Sequence, residues 1–326
     1  MKTSYLLYLI LFFATSCSKE FASPSESPKD VVESLWKYAD ENYVYFDYKS
    51  INWASRKEFY MNKVSSSTSE DSLFAVCSAM VAELKDGHNS LNNGKSIYKY
   101  NFANGYNVNF SLDIVKSKYL KNVFQTKGNF TYGIINESVG YVYYEKFYGG
   151  AVFNEVMQFF KEKKVEKVII DIRNNGGGLP ETAQNIVGYF VDKPTLVGYI
   201  THKGGKGHSD FSTKIEVNAI PKSIFFDKAV RVLTNRKSFS ASSYFAGMMG
   251  NLPNVKLIGQ ITGGGGGAAA DFELPNGWTV GMTSNFFLDS KNNHIENGVR
   301  PSIEIENSLP DIANQQDKML EKAIGN

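Results

Sequence analysis

The spacing of apolar residues changes along the chain, and the change predicts where helices give way to strands. Over residues 30–84 the apolar positions recur mostly at helical spacing, as in "DVVESLWKYADENY", where they fall on one face. A second such stretch, "EDSLFAVCSAMVAELKDG", ends at Gly87, a residue type that commonly stops a helix. This part of the sequence predicts an N-terminal helical domain over residues 29–91.

Strand patterns dominate the rest of the chain and alternate with helical ones. Residues 92–130 predict a strand-rich connecting segment, and "YGIINESVGYVYYEKF" then alternates as two strands around a turn. "EKVIIDIRNNGGG" and "KAVRVLTN" are typical of buried strands, whereas "AVFNEVMQFFKEKKV" and "SASSYFAGMMGN" have helical patterns. The alternation predicts an α/β core over residues 131–308, followed by a C-terminal helix or tail at 309–326.

The composition is that of a globular protein without a nucleic-acid-binding surface. With 326 residues, 42% of them hydrophobic, the chain can bury one large core or two modest ones. Its formal charge of +2 comes from interspersed acids and bases, so no nucleic-acid partner is predicted. The four histidines show no HExxH motif and no paired His/Cys spacing. We therefore expect neither a metal nor another cofactor.

The first residues have the pattern of a targeting segment and are not expected to belong to the folded domain. Residues 1–17, "MKTSYLLYLILFFATSC", combine a positive start, a short apolar stretch and small residues, as in a signal peptide. The residues before Cys17 resemble the lipobox of bacterial lipoproteins, in which that cysteine carries a lipid. An ordinary signal peptide with an incidental cysteine is the alternative. With residues 18–28 as a flexible tether, we expect a cell-envelope lipoprotein at the outer membrane, on its periplasmic or surface face.

Three other residues with reactive or charged side chains are predicted to serve the structure. Cys77 lies in a helical pattern, and with only two cysteines in the chain it has no disulfide partner if Cys17 carries lipid. We expect it to be a small buried apolar side chain. Asp171 and Arg173 flank the glycine loop of "DIRNNGGG", and we expect them to form a structural ion pair.

Two loops that follow predicted strands have the composition of an oxyanion-binding site. The glycines of "IIDIRNNGGG" permit close approach of backbone N–H groups to a ligand, and the loop has neither a Walker lysine nor a GxGxxG spacing. "KSFSASSYFAGMM" places serines at the start of a helix, whose positive end favours a developing negative oxygen. Capping of that helix by serine is the alternative explanation.

Four segments in this order resemble the tricorn and C-terminal-processing peptidase family of serine peptidases. "DIRNNGGG" is similar to that family's glycine loop, "SFSASSYFAG" to its nucleophile segment, and "LKDGHNSL" and "HIENG" to its remaining site segments. The resemblance implies a ClpP/crotonase-like core of ββα units and Ser240 as the nucleophile. It also implies that the N–H groups of Gly177 and Ala241 form the oxyanion hole, with Gly176 in support.

The resemblance offers two solutions for the general base. The processing branch uses a lysine in the loop after the next strand, but here that loop, "GQITGGGGGAAADF", contains none. The tricorn-like branch uses a histidine supported by a serine and a glutamate, which implies His88 and Glu296. The family's serine directly precedes the histidine, where this chain has Gly87, and Asn89 or Ser90 are the candidate substitutes.

His294 is an alternative base. It lies two residues before Glu296, and residues two apart on a strand face the same side. The interval between Leu91 and Tyr132 is too short for the PDZ domain of the processing branch, so we expect a tricorn-like peptidase without one.

The function implied by the resemblance is hydrolysis of peptide bonds in a peptide or protein substrate, by an envelope-anchored serine peptidase. A catalytically inactive lipoprotein that binds peptides or small molecules on the same scaffold is the first alternative, because a fold does not fix a function. Hydrolysis of a non-peptide ester by the same residues is the second. Whether the Ser240 hydroxyl is activated distinguishes the binding-protein hypothesis from the two enzyme hypotheses.

Overall fold

The structure is a computed structural model that describes residues 27–325. The predicted signal peptide, Cys17 and nearly all of the predicted tether lie outside the described residues. The helices are α1 Pro28–Asn42, α2 Arg56–Met61, α3 Glu70–Ala82, α4 Leu112–Ile114, α5 Val152–Glu162, α6 Pro180–Val187, α7 Ala241–Met249, α8 Leu309–Ala313 and α9 Lys318–Gly325. A π-helical turn, Val115–Tyr119, follows α4, and a 3-10 turn, Gly188–Phe190, follows α6.

Fourteen strands occur within the described residues and form three sheets. They are β1 Ser90–Asn92, β2 Ile97–Lys99, β3 Phe124–Lys127, β4 Phe130–Ile135, β5 Val139–Tyr144, β6 Lys167–Asp171, β7 Thr195–His202, β8 Ile215–Ala219, β9 Ala229–Thr234, β10 Val255–Gly259, β11 Ala269–Glu273, β12 Thr279–Thr283, β13 Asn285–Asp289 and β14 Ile303–Glu304. No helix within residues 27–325 has both the length and the apolar character needed to cross a bilayer.

A seven-stranded sheet forms the centre of the fold, in the order β14-β10-β9-β6-β5-β4-β3. Strands β5, β6, β9, β10 and β14 run parallel, and Ile170 of β6 lies beside Val232 of β9. One face packs against α5, α6 and α7, and the other against α9, so both faces are buried. The predicted α/β class is confirmed. Because β6 and β9 are parallel neighbours, the loops at their carboxyl ends lie side by side.

The N-terminal helices share their core with strands from the far end of the chain. Helix α1 begins after Ser27, whose Oγ accepts the N–H of Asp30, and it buries one apolar face, as its spacing predicts. That face packs in one cluster with Trp278, Val280 and Met282, which belong to or precede β12. The sheet β11-β12-β1-β2 therefore joins the N-terminal region to the rest of the molecule.

Cys77 is fully buried within α3 and has no disulfide partner among the described residues. Burial raises the pKa of its thiol to about 12, because a thiolate would lose its hydration there. The prediction of a small buried apolar side chain is confirmed.

A buried ion pair anchors the loop that follows β6. The guanidinium of Arg173 donates from Nε to Asp171 Oδ1 at 2.9 Å and from Nη1 to Asp317 Oδ1 at 2.8 Å, and all three side chains are buried. Burial disfavours the charge on Asp317, but Arg173 outweighs it and holds the pKa of that carboxyl below its usual value. The predicted ion pair between Asp171 and Arg173 is confirmed. Its second carboxylate, just before α9, was not predicted.

Substituting Arg173 by methionine is expected to destabilise the fold strongly. It leaves two buried carboxylates without their counter-charge, and breaking a buried pair costs about 3–5 kcal/mol. The free energy of unfolding from denaturant titration measures this. Arg300→Met is the matched control, because its partner Glu304 is exposed and the pair contributes little. Equal, small effects of the two substitutions would contradict the prediction.

Candidate active site

Ser240 lies at the start of α7 in a conformation that a non-glycine residue rarely adopts. Its φ of 57° and ψ of −123° carry backbone strain of about 1–3 kcal/mol. The conformation is held by main-chain bonds, since Ser240 N donates to Gly264 O and Ser240 O accepts from the N–H groups of Ser243 and Tyr244. The side chain makes no capping bond to α7. The capping explanation for this serine is therefore not supported.

The Ser240 hydroxyl instead contacts His88. The distance between Ser240 Oγ and His88 Nε2 is 3.0 Å, within hydrogen-bonding range. The imidazole packs on the ring of Phe239, at 4.8 Å between centroids, and Asp86 Oδ1 accepts the His88 backbone N–H at 2.9 Å. Asp86 also accepts the hydroxyl of Thr283, which ties this turn to β12. The structure thus brings together two residues that are 152 positions apart.

The surroundings of His88 favour its neutral form. Burial lowers the pKa of the imidazole below its ordinary value of 6.5, because a cation is poorly hydrated there. The Asp86 carboxylate acts in the opposite direction, and Lys99 and Lys49 lower the pKa further. The net result is a neutral imidazole at neutral pH, which can accept a proton.

Glu296 is buried and makes no hydrogen bond to the His88 ring. Its Oε1 accepts from Lys49 Nζ at 2.6 Å, and its Oε2 accepts the N–H of Gly266 at 2.8 Å. His88 Nδ1 is buried and has no hydrogen-bond partner among the described residues. Burial is the main cause that raises the pKa of Glu296 to about 7; Asp86 adds to it, and Lys49 and Gly266 oppose it.

The two predicted oxyanion donors differ in their hydrogen bonding. Gly177 packs directly on the serine, since a side-chain carbon at this position, where φ is 104°, would lie 2.8 Å from Ser240 Cβ. Its N–H, however, donates to Asn175 Oδ1 at 2.9 Å. The N–H of Ala241, at the positive end of α7, has no acceptor among the described residues. Gly176 has open space where a side chain would stand.

Neither predicted substitute for the missing serine makes a hydrogen bond to the imidazole. Asn89 Oδ1 accepts the N–H and the hydroxyl of Thr283, and Ser90 begins β1, where it pairs with Gly281. A serine at position 87 would not fit without rearrangement, because its Cβ would lie 2.8 Å from ring carbons of Phe102 and Phe239. The packing around His88 therefore leaves no room for a serine side chain at position 87.

His294 is separate from the serine. Its ring lies among aromatic side chains, 4.3 Å from the centroid of Tyr48 and 4.8 Å from that of Phe286, and it makes no hydrogen bond to Ser240. Burial lowers the pKa of its imidazole, with Lys214 acting in the same direction. The structure thus places His88, and not His294, beside the hydroxyl.

Sequence reasoning missed several residues that shape this site. Lys49 stands 247 positions from Glu296, in a turn that has no recognisable motif. Asp86 and Asn175 were visible in their motifs, but only their hydrogen bonds to neighbouring N–H groups show what they do. The glycine run 263–267 gave the clearest overlooked signal, because five consecutive glycines indicate that the backbone approaches other groups closely.

Comparison with known proteins shows which protein families the chain is similar to. The model of peptidase family S41 matches residues 138–305, and that of the tricorn protease C1 domain matches residues 24–82. The carboxy-terminal processing protease CtpB of Bacillus subtilis is 27% identical over 172 residues, covering 52% of this chain and 34% of CtpB. CtpA of the same organism is 29% identical over 160 residues, covering 49% of this chain and 32% of CtpA. The chain spans about a third of the length of these relatives.

Solved structures extend the similarity to the N-terminal region. A candidate peptidase from Parabacteroides merdae is 34% identical with a TM-score of 0.85, covering 92% of this chain and 96% of that one. The photosystem II D1 C-terminal processing protease, at 17% identity, a TM-score of 0.59 and coverage of 92% and 98%, shares the fold. Since the family match covers just over half of the sequence, the predicted resemblance is confirmed, and the chain belongs to peptidase family S41, a family of serine peptidases.

Proposed function

We propose that this chain hydrolyses peptide bonds with Ser240 as the nucleophile and His88 as the general base. The observation that carries the proposal is the 3.0 Å contact between Ser240 Oγ and His88 Nε2. A serine hydroxyl is a weak nucleophile until a base within hydrogen-bonding distance removes its proton. The lowered pKa of His88 supplies that base in its neutral form.

The reaction follows from these positions. As Ser240 Oγ attacks the peptide carbonyl carbon, its proton passes to His88 Nε2, and the carbonyl oxygen becomes an oxyanion. The N–H of Ala241 and the positive end of α7 stabilise that oxyanion. The imidazolium then protonates the leaving amine as the carbon–nitrogen bond breaks. A water molecule, deprotonated by His88, hydrolyses the acyl-enzyme and restores the serine.

The second donor of the oxyanion hole requires a small local change. Gly177 N–H lies beside the serine but is bonded to Asn175 Oδ1, so it must share or exchange that bond to serve the oxyanion. This bond is the feature that favours the alternative, an inactive binding protein. The contact between His88 and Ser240 argues against it, because a binding protein gains nothing from an activated hydroxyl.

Glu296 is proposed to support His88 through the main chain. Its carboxylate holds Gly266 N–H, and the preceding Gly265 packs on the imidazole, where a side-chain carbon would lie 2.8 Å from His88 Cε1. The glutamate thus shapes the wall of the histidine pocket. This differs from hydrogen bonding to the ring, the arrangement usual in catalytic triads.

A fluorophosphonate probe tests the proposal, because it forms a covalent adduct only with an activated serine. Labelling of the full chain is expected, with the adduct on the peptide that contains Ser240. If the folded protein takes up no probe, the catalytic proposal fails and the binding alternative becomes the better one.

We further propose that the protein is an envelope lipoprotein anchored through Cys17. The proposal is supported by the apolar stretch and the small residues before that cysteine. Metabolic incorporation of a fatty-acid analogue into the full chain is expected, and Cys17→Ala should abolish it. Equal incorporation by both proteins would contradict the anchor.

A further inference from the structure

Lys49 is a largely buried lysine with a complete set of hydrogen bonds. It lies in the turn after α1, and its side chain is 9% exposed. Its ammonium donates to Glu296 Oε1 at 2.6 Å and to the carbonyl oxygens of Leu84 and Lys85 at 3.1 Å each. An ammonium has three N–H donors, so all of them are used.

These bonds join the two segments that surround His88. Leu84 and Lys85 lie immediately before Asp86, whose carboxylate holds the His88 backbone N–H. On the other side, Glu296 holds Gly266, next to the glycine that packs on the imidazole. Lys49 therefore ties the turn that carries the histidine to the loop that forms its pocket wall.

The ammonium is also enclosed by aromatic rings. Its Nζ lies 5.7 Å from the ring centroid of Tyr43 and 5.4 Å from that of Tyr45. The rings attract the cation and exclude water, and exclusion of water strengthens its attraction to Glu296. The Tyr43 hydroxyl donates to Leu84 O, one of the carbonyls that Lys49 binds.

We propose that Lys49 is a positioning residue for His88: it favours the carboxylate form of Glu296 and binds the carbonyl oxygens of Leu84 and Lys85, and so holds both segments with His88 Nε2 pointing at Ser240. The catalytic consequence rests on the proposed function. The link between Lys49 and Glu296 does not depend on it.

The charges around Glu296 decide how the link responds to pH. Lys49 and the N–H of Gly266 favour the carboxylate, whereas burial and the nearby Asp86 disfavour it. The tyrosines that interact with this carboxylate all have pKa values above their ordinary one and stay neutral; they are Tyr43, Tyr45, Tyr48 and Tyr244. The pKa of Glu296, about 7, must therefore rise further when Lys49 loses its charge.

The sign of the effect on stability follows from the raised pKa. Between its ordinary value of 4.5 and about 7, the folded protein holds a proton on Glu296 that the unfolded chain has lost. Stability therefore falls as pH rises through this window and levels off above it. Without the Lys49 charge the pKa of Glu296 rises, so the window extends further upward.

The experiment compares the full chain with Lys49→Met, Glu296→Gln, the double variant and Lys57→Met. Lys57 is the matched control, since it also pairs with a glutamate, Glu33, and lies over an aromatic ring, but at the surface. Two readouts are followed between about pH 5 and pH 9: the unfolding midpoint and the rate of fluorophosphonate labelling.

In Lys49→Met we expect stability to keep falling as pH rises above 7. We also expect the acid limb, the part of the pH profile in which the labelling rate falls on acidification, to move to higher pH from about pH 7. Near neutral pH its labelling should be about 10- to 100-fold slower, as small misplacements of catalytic groups commonly cause. In Glu296→Gln the limb should move below pH 6.5, because the protonation of His88 then sets it. The double variant should label no more slowly than Glu296→Gln, and Lys57→Met should match the wild type.

The proposal would be overturned if the unfolding midpoint of Lys49→Met had the same pH dependence as that of the wild type. It would also be overturned if the fold-losses in labelling rate of Lys49→Met and Glu296→Gln multiplied in the double variant, since the two residues would then act independently. Absence of labelling in the wild type would overturn the proposed function instead, while the unfolding profiles still report on the link. If Lys49→Met does not fold, Lys49→Gln removes the charge, keeps an amide donor and is judged by the same criteria.

Discussion

Ser240→Ala is expected to abolish fluorophosphonate labelling and to reduce peptide hydrolysis by about 10³-fold or more, because no other group takes over the role of the nucleophile. Its effect on stability should be small. The hydroxyl makes no capping bond, and within residues 27–325 its hydrogen-bond partner is His88. Labelling measured by mass spectrometry, beside denaturant unfolding of the same samples, separates the two effects.

Ser69→Ala is the matched control, since Ser69 is a helix N-cap whose side chain does accept a bond, from Ser72 N. We expect this variant to lose about 0.5–1 kcal/mol of stability and to keep full labelling. The opposite pattern, in which Ser240→Ala is destabilised and still labelled, would show that Ser240 is a structural cap.

His88→Ala is expected to lower the labelling rate and kcat/KM by about 10²–10⁴-fold, the usual contribution of a general base. The loss should be present at every pH at which the wild type is active, because the variant cannot accept the Ser240 proton. Initial rates with the probe and with a peptide mixture measure it.

His294→Ala provides the comparison for the histidine. Its ring packs among aromatic side chains and makes no hydrogen bond to the serine, so we expect near wild-type labelling from this variant. If His294→Ala lost labelling while His88→Ala kept it, the base would have to be reassigned.

The sequence allowed the α/β class and the pair of His88 and Ser240 to be predicted, for different reasons. The class follows from local periodicity, which reports burial along each element. The two residues sit in motifs whose order along the chain resembles a known family. Neither source gives a distance, and the 3.0 Å contact between them exists only in the folded chain.

The parts that could not be predicted depend on long-range packing. The pairing of Lys49 with Glu296 and of Arg173 with Asp317 joins residues far apart in sequence, and no local pattern marks the lysine or Asp317. The bond from Gly177 N–H to Asn175 is local, but it depends on the orientation of one side-chain amide, which composition does not fix. The partners of Glu296, Lys49 and Gly266, could not be predicted for a similar reason, because a motif names a residue without naming its partners.

The shared core of the N-terminal helices and β12 affects when the proposed catalytic pair can form. His88 precedes Ser240 by 152 residues, and the helices before His88 share one buried cluster with residues between 274 and 288. During synthesis, the histidine is therefore made long before either its hydroxyl partner or the strands that fix its position. The proposed catalytic pair therefore forms only when the tertiary structure is complete, and we expect a nascent or half-folded chain to lack the proposed activity.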